Sequence, residues 1–190
     1  MGKTIVLYHG TDREFNEFKI GKEYLRKKDA FLSEGLGVYL TEEQDFGRTY
    51  GHLIYEVEVS LDKVSDFTNK DFIISVLRKM RKDVKQRTQC DIFHYFDVDN
   101  FAEMLSEGEF CCTSMYEEIS DQIDSVEKFH ELHGNLITYE DDCIHQKIKN
   151  SFFRHVGDVI KNTNRDFPIP IYICFRNPEV LNIVKIHNKL

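Results

Sequence analysis

LYHGTD, Leu7 to Asp12, closes the first apolar run of the chain and places an imidazole and a glycine where that run turns. The run TIVLYH, residues 4–9, is β-branched and aromatic, which predicts a short strand buried on both faces and ended by Gly10. His9 then occupies a strand end. A histidine there either closes the strand through a hydrogen bond to backbone or presents its ring to a ligand.

Further along, EGLGVYLT, Glu34 to Thr41, carries two glycines into a second strand, and Glu42 to Tyr50 is helix-compatible up to Gly51. HLIYEVEVSLDKV, His52 to Val64, alternates Ile54, Glu56 and Glu58 against Tyr55, Val57 and Val59, the period of a half-solvated strand. The middle of the chain changes period. Phe72, Val76, Met80 and Val84 recur every four residues, as do Met115, Ile119 and Ile123, and Ile144, Ile148 and Phe152, which predicts amphipathic helices. PIPIYICFRNPEVLNIVKI returns to strand composition, with Arg176-Asn177-Pro178 as a turn between Ile171–Phe175 and Val180–Ile186. No linker-like tract separates these parts. One α+β domain over residues 1–190 follows, its core about 4–68 and 155–187, with a helical insertion about 69–154.

The bulk numbers agree. A chain of 190 residues with 41% hydrophobic and 31% charged residues is globular. A net charge of −8 argues against a general polyanion binder, and the basic run Arg78, Lys79, Arg81, Lys82, Lys85 and Arg87 reads as a solvated helix face. Five cysteines, Cys90, Cys111, Cys112, Cys143 and Cys174, contain no C-x-x-C pair, so no disulfide framework or zinc site is expected and a cytoplasmic setting fits. No apolar run is long enough to span a membrane. His130-Glu131-Leu132-His133 with Glu140-Asp141-Asp142 and His145 is a rival metal constellation, but its histidines lack the i,i+4 spacing of H-E-x-x-H, and no metal is expected.

Read together, LYHGT, GLGVYLT and the helix ending in Tyr50-Gly51 form an ordered set in which Tyr39 and Tyr50 stand eleven residues apart. This order resembles the NAD-binding fingerprint of the poly(ADP-ribose) polymerase or diphtheria-toxin class of ADP-ribosyltransferases. HVGDVI, His155 to Ile160, and the strand and turn from Tyr172 to Pro178 are similar to compact phage and bacterial members of that superfamily. The resemblance implies a split antiparallel β-sheet core that holds NAD as co-substrate. It assigns His9, Gly10, Thr11, Tyr39, Gly47 and Tyr50 to NAD, and His9, Tyr39 and Ile171 to the catalytic set. Under it, His9 bonds a ribose hydroxyl, the Gly10 backbone pairs with the carboxamide, and the two tyrosines sandwich the nicotinamide cation, each good contact giving about 0.5–2 kcal/mol.

Two positions depart from the pattern. Ile171 stands where chain-elongating members carry glutamate, and Gly47 stands where a serine bonds the carboxamide. The resemblance therefore implies a mono-ADP-ribosyltransferase that modifies a macromolecule, protein before nucleic acid, of the toxin or phage-effector kind, with Glu140 or Asp158 as candidate assisting acids. The alternative it leaves open is a degenerate module that binds NAD, ADP-ribose or a protein partner without turnover.

Overall fold

The computed structural model describes residues 2–20, 37–88, 91–109, 115, 118–119, 144–163 and 169–188. His130 to His133, Glu140 to Asp142, Ile123, Cys90, Cys111, Cys112 and Cys143 lie outside them. Seven strands form one sheet: β1 (Thr4–Thr11), β2 (Val38–Thr41), β3 (Leu53–Ser60), β4 (Val64–Asp66), β5 (Val159–Asn162), β6 (Ile171–Cys174) and β7 (Asn182–Asn188). Their spatial order is β4-β5-β6-β2-β1-β3-β7. All pairs are antiparallel except β4 with β5. That parallel pair departs from an all-antiparallel core for a physical reason: parallel neighbours need a long crossover, and the helical middle of the chain supplies it.

The described helices are α1 (Gln44–Gly47), α2 (Lys70–Thr88), α3 (Val98–Ser106) and α4 (Ile144–His155). Sequence chemistry sets their ends: the Asn69 side chain accepts the Phe72 N–H at the start of α2, and the Asp97 carboxylate accepts the Asn100 N–H at the start of α3. The four-residue spacing of Val76, Met80 and Val84 buries one face of α2 against Ile148 and Phe152 of α4, with Phe101 and Leu105 of α3 in the same cluster. Met115 and Ile119 are buried there as well. On the outer side, Asp83 of α2 takes Arg154 at 2.8 Å and His155 at 3.0 Å from α4, which fixes the two helices in register.

A second apolar cluster, with Leu7, Leu40, Tyr55, Val57, Val59 and Tyr172, covers the opposite face of the sheet. Consecutive residues of β5 serve both: Val159 joins this cluster and Ile160 joins the helical one. β1 itself is not buried on both faces, because only Leu7 is fully covered and Val6, beside Glu58, is 39% exposed. The helices stack over the β5 end of the sheet and leave that stretch of β1 to water.

Candidate functional site

Around His9 the sheet comes apart between two strands. β1 and β3 pair over their whole length, from Thr4 with Ser60 to Thr11 with Leu53, yet β1 and β2 share the single pair Tyr8 with Thr41. The direction of the backbone groups follows from one bond. Leu61 N–H donates to the Lys3 carbonyl at 2.9 Å, which makes Lys3 and Leu61 a hydrogen-bonded pair one step beyond Thr4 and Ser60. Such pairs alternate in an antiparallel ladder, so Ile5, Leu7, His9 and Thr11 spend their backbone groups on β3. Tyr8 and Gly10 aim theirs at β2. Tyr8 meets Thr41 there, while Gly10, one pair further on, points its N–H and C=O into the opening seam opposite Tyr39.

His9 holds the seam open. Its Nδ1–H donates to the Tyr39 carbonyl at 2.8 Å, so a side chain takes the acceptor that a continuing ladder would give to the Gly10 N–H. The bond fixes the tautomer, leaving Nε2 as an acceptor. Burial pushes the imidazole below its ordinary pKa, against the Tyr39 bond that favours the cation, so the ring is neutral at pH 7. Phe18 meets it edge-on at 5.3 Å and Phe15 lies at 6.1 Å. Phe15 in turn stacks on Tyr55 at 4.2 Å, whose hydroxyl accepts the Phe15 N–H and donates to the Phe15 carbonyl.

The other named residues gather on the opposite face of β1. Tyr39 and Thr41 share that face with Tyr8 and Gly10, and α1 lies across it. A Cβ on Gly10 would sit 1.8 Å from the Gly47 carbonyl oxygen and 3.3 Å from Tyr50 Cβ, so this glycine is required by the approach of α1. A group entering the seam therefore reaches Gly10 from the β2 side and not from above. Tyr50 is 53% exposed, with its ring against Phe46 at 5.6 Å. Thr11 accepts the Arg13 N–H, and Asp12 accepts both the N–H and the ring N–H of His52, which ties the turn after LYHGT to the start of β3. Thus Gly10, Tyr39, Gly47 and Tyr50 come together on one face, while His9 reaches the same seam from the other.

Ile171 is buried at 4% exposure and pairs with Thr41. Asp158 lies just before β5, at the end of the β5–β6 pair away from Ile171, where its carboxylate is held by Arg176 at 2.8 Å, and it is spent on structure. Sequence reasoning passed over Glu42, one residue beyond Ile171's partner. Its carboxylate accepts the Tyr172 hydroxyl and stands 3.4 Å from Lys161, and the Tyr172 bond holds it below the usual glutamate pKa. Burial and Glu42 push the Tyr172 phenol up. The pair Glu42-Glu43 directly after VYLT was the available signal. Cys174 is buried, its thiol pushed up to about 12 by that burial, and it is an unreactive core residue.

No family model matches the chain, and no curated protein matches it. Among solved structures, one described as the crystal structure of an anti-CRISPR protein aligns over 98% of this chain and 96% of its own, at 10% identity and a TM-score of 0.42. A likeness at that level carries no argument. Among the described residues, no group of three or more His, Cys, Asp or Glu side chains is arranged to hold a metal, and no helix is long and apolar enough to cross a membrane.

Proposed function

We propose that the protein is an NAD-dependent mono-ADP-ribosyltransferase built on a split sheet of the ADP-ribosyltransferase kind. The observation that carries this reading is the β1–β2 seam, where Gly10 presents one backbone donor and one acceptor side by side opposite Tyr39. A primary carboxamide needs that complement. Tyr50 stands beside Gly10 with half its surface open, and a cationic nicotinamide gains from an aromatic face. His9, neutral and with Nε2 unprotonated, accepts a ribose hydroxyl. Glu42, ionised and held by Tyr172 and Lys161 on the sheet face that His9 shares, supplies negative charge toward the ribose, on which positive charge develops as nicotinamide leaves.

Protein is the favoured acceptor, because a chain of net charge −8 is poorly matched to nucleic acid. The test is incubation with adenylate-labelled NAD and cell lysate. Nicotinamide release together with label that protease removes is the expected result; label released only by nuclease moves the acceptor to nucleic acid. A second reading, a module that binds NAD without turnover, draws on the apolar, buried Ile171. Calorimetric NAD binding with no nicotinamide released selects it, and the absence of both binding and release rejects the two readings together.

A further inference from the structure

The cations of α2 fall into two groups. Asp91 holds Arg81 at 2.7 Å and Lys85 at 3.2 Å, so these two are spent on the loop that follows the helix. Arg78, Lys79 and Lys82 are exposed and make no ion pair among the described residues. They line a cleft of about 560 Å³ with Ile74 and Ser75, and Asp71 and Asp99 complete the lining. Asp71 belongs to the first turn of α2 and Asp99 to the first turn of α3, so the lining carboxylates gather at one end, close to Lys70 whose ammonium is held by Glu103 at 2.8 Å, and the lining cations at the other. Arg78 and Lys82 are one helical turn apart, about 6 Å along the axis. Ile74 is half-buried against the helical core and gives the cleft an apolar floor.

We propose that this cleft docks a segment of a partner protein in which acidic and apolar side chains alternate and a basic residue lies at one end. The carboxylates meet Arg78, Lys79 and Lys82, an apolar side chain rests on Ile74, and the basic end meets Asp71 and Asp99. The mixed sign of the lining selects this occupant. A nucleic acid running the length of the cleft would carry its charge onto two carboxylates of a chain whose net charge is already −8. The proposal goes beyond transfer chemistry and stands whether or not NAD is turned over.

The test is fluorescence polarisation with a short labelled peptide of alternating Asp and Leu ending in Lys-Lys, beside a single-stranded oligonucleotide of similar length. The peptide binds the wild-type protein in a salt-sensitive way and about tenfold more weakly to the triple variant R78E/K79E/K82E, the sum of several exposed pairs. The double variant D71K/D99K loses the preference for the Lys-Lys end. Circular dichroism checks each fold, and if the triple variant is unfolded the single variants K79E and K82E carry the comparison. Absence of peptide binding, binding that the charge reversals leave unchanged, or tighter binding of the oligonucleotide than of the peptide overturns the proposal.

Discussion

At the scale of the residue, His9 has two duties that a single experiment separates. Its Nδ1–H satisfies the Tyr39 carbonyl and its ring packs on Phe18, so His9→Phe keeps an aromatic ring against Phe18 and removes the donor. Removing that hydrogen bond costs about 0.5–1.5 kcal/mol, which urea denaturation near neutral pH measures. The pH dependence has a definite sign. An unfolded imidazole takes its proton near 6.5, while burial holds the folded one lower. Between those values the unfolded state binds the extra proton, so stability that is complete above pH 6.5 falls as the pH drops through this window, by at most about 1.4 kcal/mol per unit. The difference in stability between wild type and His9→Phe therefore narrows on acidification; a difference that grows instead removes the neutral tautomer from the account. Under the transferase reading NAD affinity falls in the same direction, since protonation converts the Nε2 acceptor into a donor.

At the scale of the element, α1 and β1 share one contact that two glycines govern in opposite ways. Gly10→Ala drives a methyl into the Gly47 carbonyl, a backbone atom that cannot turn aside, and so displaces α1 at about 1–3 kcal/mol. Gly47 is different. A Cβ there meets Tyr8, Thr41 and Ile54 at 3.6, 3.7 and 3.8 Å, ordinary contact, so Gly47→Ser fits without moving the sheet. Under the transferase reading the new hydroxyl bonds the carboxamide, and NAD affinity measured by calorimetry rises about two- to tenfold, the worth of one hydrogen bond. Unchanged affinity in a folded Gly47→Ser protein counts against the carboxamide lying at Gly10. Elements of this kind were legible where periodicity is strong: the four-residue recurrence along α2 and the alternation of β3 predict a helix and a strand that the structure shows, while the strand read over His52 to Val64 ends at Ser60 and Ile54, read on its solvated face, is buried. Three features were not. The parallel pairing of β4 with β5, the open edge of the β1–β2 ladder and the role of Glu42 all depend on which strands become neighbours, and local pattern carries no record of that. Val6 was read as buried because a β-branched run looks alike whether one face or two are covered.

At the scale of the molecule, the question is whether the helical layer and the sheet fold as one unit. The two apolar clusters lie on opposite faces and meet through β5, where Val159 belongs to one and Ile160 to the other. Neither cluster can lose β5 without exposing the other, and β5 also joins β4 to β6. A single cooperative transition follows, followed equally by far-ultraviolet dichroism, which reports the helices, and by hydrogen exchange of the strand amides as denaturant is raised, which reports the sheet. Phe152→Ala tests this from the helical side. Phe152 is fully buried among Phe67, Phe153 and Phe175, so its truncation costs about 3–5 kcal/mol. If the layers are one unit, both probes move to lower denaturant together, and the sheet weakens through a residue it does not contain. Should the helical signal be lost first while the strand amides keep their protection to the same denaturant concentration, the helices are a separable layer, and residues 69–154 constitute a unit added to a sheet that stands without it.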